Sequence, residues 1–244
     1  MVASGRNLSF SRAFREGARE FLELRNLVIL ISVPVLVALV ALLEGNLEAQ
    51  GVIGPFTRNQ TLRMLLWNVT IVVSLLALVR GSFSFVRTWS FERPLSGRGT
   101  PGDVLGSMAS LFTTYFVITC IMGAAVMQAS EGFNLAGFLF LVGWCTPVLF
   151  WAVCLATLLS TVADGPGAAW LGSCVFLFSL LPGLFGRGVS QWVVPPTGRL
   201  ASLTVNGYFN PVMLLVILLH SVIHLTLAVM VHGVRSREAS RRWQ

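Results

Sequence analysis

The chain contains no lysine: all 17 basic residues among its 244 are arginine. A Gly-x-x-x-x-Gly-Lys-Ser/Thr loop is therefore excluded, because that loop needs an amine to reach the β- and γ-phosphates. Gly-x-Ser-x-Gly and His-Glu-x-x-His are also missing, which removes two common hydrolase signatures. The chain is expected not to be an enzyme. Charge of either sign is scarce, at 11% of residues against 55% hydrophobic. With a mean hydropathy of +0.78, too little polar surface remains for a water-soluble globule of this length. The four cysteines, Cys120, Cys145, Cys154 and Cys174, all fall inside apolar runs, where a thiol acts as a small hydrophobe and says nothing about redox compartment.

What the chain does have is six long apolar runs: Leu27 to Leu43, Leu62 to Val79, Met108 to Gln128, Leu135 to Ala163, Ala168 to Phe185 and Pro211 to His232. Crossing a bilayer takes roughly 17 to 25 helical residues, and each run is long enough. No gap between runs can hold a second hydrophobic core, so the expected fold is one all-α polytopic membrane domain with six transmembrane helices over 27–232. The first run is expected to stay attached, since a charged segment of about 26 residues precedes it and no small-residue cleavage site closes it.

Arginine resists translocation and collects on the cytoplasmic side. Arg6, Arg12, Arg15, Arg19 and Arg25 precede the first run, Arg80, Arg87, Arg93 and Arg98 follow the second, and Arg235, Arg237, Arg241 and Arg242 follow the sixth. Only Arg58, Arg63, Arg187 and Arg199 fall on the other side. Both termini are thus expected in the cytoplasm. The net charge of +7 reads as topology and contact with anionic lipid, not nucleic-acid binding, because it is spread over three juxtamembrane segments.

Three segments outside the runs have character of their own. In 1–26, Phe10, Phe14, Gly17, Ala18, Phe21 and Leu24 share one side of a helical wheel. Arg12, Arg15, Glu16, Arg19, Glu20 and Glu23 share the other. This predicts an N-terminal interfacial amphipathic helix, which reads equally as a membrane anchor and as a docking surface for a cytoplasmic partner. Gly81 to Ser107 is the longest cytoplasmic loop. Its first half can extend the second helix, Pro94, Gly97, Gly99, Pro101 and Gly102 force a break, and Thr100-Pro101 with Asp103 suits the start of a new helix. Phe91, Glu92 and Arg93 beside this elbow suit insertion into a partner's groove, or the elbow is only a connector. Externally, 186–210 mixes Trp192, Pro195, Pro196 and Tyr208 and is read as a half-inserted, re-entrant segment, after which Asn210 caps the last helix and Pro211 opens it. The turn Ala163 to Ala169 is a tight reversal, and 233–244 is a basic cytoplasmic tail.

Within the runs, His220, His224 and His232 are the candidate metal or haem ligands, with the first two at i,i+4. Acidic residues are absent from the middle of the runs, which suits amphipathic or apolar cargo better than a desolvated small ion.

The order of parts resembles the ABC-2 type permease, the transmembrane subunit of an ATP-binding-cassette exporter. Phe91-Glu92-Arg93, Pro94-Leu95-Ser96-Gly97-Arg98 and Gly106-Ser107 look like that family's acidic residue after span two, its Leu-Pro-Val-Ser-like turn, and the Gly-Lys opening span three. The family's Gly-Thr-x-Glu stretch is missing, and Ser107 stands where lysine is usual. The resemblance implies a bacterial inner-membrane exporter subunit that pairs with a second copy or a paralogue around a central pathway. Two separate ATPase subunits would dock beneath and bind the ATP and Mg; this chain would hold no cofactor. A periplasmic partner is a further candidate. The family's contact surface maps to the amphipathic helix and the elbow, making Phe14, Phe21, Arg87, Glu92, Arg93, Pro94 and Arg98 the implied coupling residues. Its dimer face, from spans two and five, maps to Trp67, Asn68, Ser74, Trp170, Ser173 and Phe176. An intramembrane haem or metal protein using the last-helix histidines, and a membrane scaffold or assembly factor, are the alternative readings.

Overall fold

Local capping chemistry sets where the helices begin. The computed structural model describes residues 3–21, 51, 57–88, 101–130, 134–181 and 194–242. The first expected span, 27–43, positions 89–100 of the elbow, 182–185 at the end of the fifth expected span and 186–193 of the external segment lie outside the described residues. The helices are α1 (Ala3–Phe21), α2 (Arg58–Thr88), α3 (Pro101–Ser130), α4 (Leu135–Phe140), α5 (Thr146–Val162), α6 (Gly165–Ser179), α7 (Thr197–Val205) and α8 (Pro211–Arg242), and no strand occurs among the described residues.

Before α2, Thr57 and Gln60 form a reciprocal capping box: the Thr57 N–H donates to Gln60 Oε1 at 2.8 Å and the Gln60 N–H to Thr57 Oγ1 at 3.4 Å. Pro101 opens α3 with Asp103 in its first turn, as the sequence suggested. Asn134 Oδ1 accepts the Ala136 N–H at α4, and Asp164 Oδ1 accepts the Gly167 N–H at α6, completing the tight reversal after α5. Asn210 Oδ1 accepts the N–H groups of Val212 and Met213, with Pro211 as the first residue of α8.

The fourth expected span is one rod from Leu135 to Val162, interrupted by a π-helical segment at Leu141–Cys145 that joins α4 to α5. Pro147 lacks the N–H that would continue the α-helical ladder. The widened turn lets both the N–H and the hydroxyl of Thr146 reach the Leu141 carbonyl, so the backbone stays satisfied where no water is at hand.

Four stretches are long and apolar enough to cross a membrane: Asn59–Phe85, Pro101–Ala129, Leu135–Val162 and Pro211–Arg235. The fifth apolar run, expected from Ala168 to Phe185, forms a helix of 15 residues, Gly165–Ser179, whose rise of about 22 Å falls short of the hydrocarbon thickness.

Helix α2 occupies the centre, packed against α3, α5, α6 and α7, with 61% of its apolar window buried; α8 lies outside, packed mainly on α5, with 33% buried. Leu66, Val73, Ala77 and Leu78 of α2 meet Trp151, Leu155 and Ala156 of α5 in the buried core. Close approach requires glycine at two points. A Cβ at Gly81 would meet the Leu111 side chain of α3 at 2.5 Å, and one at Gly172 of α6 would meet Leu78 at 2.7 Å. The outer face of α8 exposes Val212, Leu215, Val222, Ile223 and Met230, an apolar surface larger than water tolerates on a monomer and one that hydrocarbon solvates at no cost.

Candidate functional site

The end of the bundle where α2 stops and α3 starts gathers both segments suspected of partner contact. Helix α1 seats along the first turns of α3. Phe10, Ala13 and Phe14 lie beside Gly106, and Gly17 lies beside Ser110, so the two helices run in the same direction. A side chain at Gly106 would place its Cβ 2.6 Å from the Phe10 carbonyl oxygen, and one at Gly17 would lie 2.9 Å from Ser110 Oγ. Only glycine on each helix lets the backbones come this close. The charged side of α1 faces away: Arg12, Arg15, Glu16 and Arg19 are exposed, while Ala13, Phe14, Gly17 and Ala18 are half-buried. Arg12 and Glu16 form an i,i+4 ion pair at 2.9 Å. Asp103, in the first turn of α3, lies within electrostatic reach of Arg12 on α1 and His232 on α8. Three helices therefore converge where the elbow enters α3.

Of the implied coupling residues, Phe14 sits at this junction with its ring stacked on Phe10 at 6.3 Å. Phe21 ends α1 and Arg87 lies in the last turn of α2, each placed by its backbone alone. Glu92, Arg93, Pro94 and Arg98 lie outside the described residues.

The six residues mapped to the dimer face do not share one surface. Trp67, Asn68, Ser74 and Phe176 are buried in the chain's own bundle, Ser173 is half-buried, and Trp170 is 72% exposed. Trp67 has a structural task of its own. Its indole N–H donates to Thr204 Oγ1 of α7 at 2.9 Å, while the Thr204 hydroxyl donates to the Leu200 carbonyl. Arg63 and Gln60 extend the same seam, to the Thr204 carbonyl at 3.4 Å and to Asn206 Oδ1 at 3.0 Å. The Arg63 guanidinium lies 5.5 Å over the Phe209 ring, which packs on Trp144 at 5.0 Å. At the other end of α7, Thr197 and Ser179 of α6 share a hydroxyl hydrogen bond of 2.6 Å, both buried.

Sequence reasoning passed over Thr197 and Thr204. Their signal was their place with Leu200 on one side of a short helix, where two hydroxyls on an otherwise buried face demand partners. Trp67→Phe is expected to lower stability by about 1 kcal/mol, the worth of one buried hydrogen bond. Adding Thr204→Val should cost little more, a non-additivity readable in thermal unfolding of the detergent-solubilised protein.

The histidines are differently placed. His220 Nδ1 engages the Val216 carbonyl at 2.9 Å, and its ring centroid lies 6.1 Å from that of His224. Trp151, fully buried, stacks between Phe176 at 5.8 Å and His224 at 6.4 Å. Among the described residues no group of three or more His, Cys, Asp or Glu is gathered as a metal would need. No protein-family model, curated protein or solved structure matches this chain.

Proposed function

We propose that the chain is the membrane permease subunit of an ABC-2 type exporter, driven by separate ATPase subunits and moving an amphipathic or apolar substrate. The observation that carries this reading is the seat of α1 on α3 at Gly106 and Gly17. The elbow continues directly into α3 at Pro101, so a push on either suspected contact surface acts on the same helix. A 30-residue helix is a rod of about 45 Å, long enough to carry a displacement from one membrane face to the other.

In this reading both termini and the elbow face the cytoplasm, 27–43 makes the first of six crossings, and α6 belongs to the fifth. Helix α7, about 13 Å long at 1.5 Å per residue, is the re-entrant element pinned under the external face. Closure of the ATP-bound partner pair would press on α1 and the elbow and switch the pathway between inward-closed and outward-open states. A second copy or a paralogue completes the unit, and the exposed Trp170 face of α6 is the part of the expected dimer surface free to meet it.

Affinity purification from mild detergent is expected to recover a P-loop ATPase with the chain. Glu92→Ala combined with Arg93→Ala should abolish stimulation of that ATPase while leaving the chain folded and inserted. Recovery of no nucleotide-binding partner, or full stimulation by the double variant, sinks the proposal. A coloured or metal-bearing purified sample would move the reading to the histidines of α8.

A further inference from the structure

The geometry points to an oxyanion-binding arginine at Arg80, filled by the phosphate of a membrane amphiphile. Sequence placed Arg80 just past the second apolar run, but α2 continues to Thr88 and Arg80 lies inside the apolar stretch Asn59–Phe85. An ionisable residue within such a stretch is retained for a reason, because moving its charge into hydrocarbon is costly.

Two of its nitrogens, Nε and Nη2, are sealed from solvent and have no hydrogen-bond partner among the described residues. They are not an arbitrary pair. The N–H bonds of Nε and Nη2 point the same way along one edge of the planar guanidinium, the fork that grips a carboxylate or phosphate through two parallel hydrogen bonds. Among the described residues no ion pair joins it to a carboxylate. Tyr115 of α3, a buried phenol, lies within electrostatic reach of it.

Guanidinium cannot shed its charge at any pH a protein survives, so the usual escape of a buried ionisable group is closed. An unpaired bidentate edge on a permanent cation in an apolar surround favours an anion that fits the fork. Depth selects which. Arg80 is five residues before Phe85, the end of the apolar stretch, or about 7.5 Å of helix rise, a depth from which a long arginine side chain reaches the phosphate headgroups at the interface. The residue as a whole is half-buried, and a long arginine stem can turn its head toward the membrane surface. This inference needs only that α2 sits in a bilayer and is independent of any ATPase partner.

The test uses the full chain, delipidated in detergent and titrated with phosphatidylglycerol, in wild type, Arg80→Gln and Arg80→Lys. Wild type is expected to retain one lipid tightly in native mass spectrometry and to gain thermal stability on lipid addition. Arg80→Gln should bind about 10- to 100-fold more weakly, as expected for loss of a charge-assisted pair, and gain no stability. Arg80→Lys should fall between, keeping the charge without the fork. Lipid-free Arg80→Gln should be no less stable than lipid-free wild type, since no internal partner is lost. Titration with inorganic phosphate separates the sources: an arginine-dependent shift with the lipid alone assigns a headgroup, and the same shift with phosphate assigns a site open to soluble anion. The proposal fails if lipid and phosphate act equally on wild type and Arg80→Gln, or if Arg80→Gln is markedly destabilised without lipid. Arg80→Lys is the second measure: lipid affinity equal to wild type in that variant also overturns the proposal.

Discussion

Gly106→Leu is expected to detach α1 from α3. The new Cβ would lie 2.6 Å from the Phe10 carbonyl oxygen, 3.0 Å from the Ala13 Cβ and 3.2 Å from the Phe14 nitrogen. Two of those three atoms are backbone, so no side-chain rotation relieves the overlap and the helix must move away. Overpacking of this kind costs about 1–3 kcal/mol, which is enough to shift a docking equilibrium by roughly tenfold or more. Docking can be read by limited trypsin digestion, because Arg12, Arg15 and Arg19 lie on α1. Cleavage at these sites should be slow when Gly106 is present and should accelerate with Gly106→Leu. Under the exporter reading, stimulation of the partner ATPase should fall in parallel, while membrane insertion is unaffected. Unchanged cleavage within α1 would show that the helix does not depend on this seat.

Much of this end of the molecule was legible beforehand. The alternation of apolar and charged residues in 10–21 announces a helix with one sticky side, and the charged side holds the Arg12–Glu16 pair. Pro101 with Asp103 announces where α3 begins. The partner of the sticky side was not legible. A membrane surface and a neighbouring helix both reward the same apolar stripe, and the sign that a helix receives it, a glycine at position 106 opposite Ala13 and Phe14, acquires meaning only when the two segments are brought together.

The second large effect is expected at the opposite end. Gly198 packs so tightly against Leu180 that any Cβ would overlap the Leu180 carbonyl group itself. Gly198→Leu should force α7 out of its seat and cost about 3 kcal/mol or more, beyond the usual range for a flexible core because the obstruction is main chain. With α7 displaced, the Ser179–Thr197 and Trp67–Thr204 hydrogen bonds cannot both survive. Limited trypsin digestion offers a local measure. Cleavage after Arg199, within α7, should accelerate by about tenfold or more, while cleavage after Arg80, in the middle of α2, should not. Equal acceleration at both sites would mean that the whole bundle had loosened instead. Trp67 illustrates why this region escaped sequence reading: its partner Thr204 is 137 positions away, and no local pattern links them.

Residue order alone determined the helical content, the helix starts at Pro101 and Pro211, and the presence of rods long enough to cross a bilayer. Each of these depends on neighbours within about four positions or on the summed hydropathy of one stretch. Tertiary structure decided which side of each rod is inside: that α2 is central and α8 peripheral, that Trp67, Asn68, Ser74 and Phe176 pack within the chain while Trp170 does not, and that α1 rests on α3. In water the polar face of a helix marks its exposed side; in hydrocarbon both sides are apolar, so the choice falls to shape complementarity, close approach at glycine and a few hydroxyl and indole hydrogen bonds.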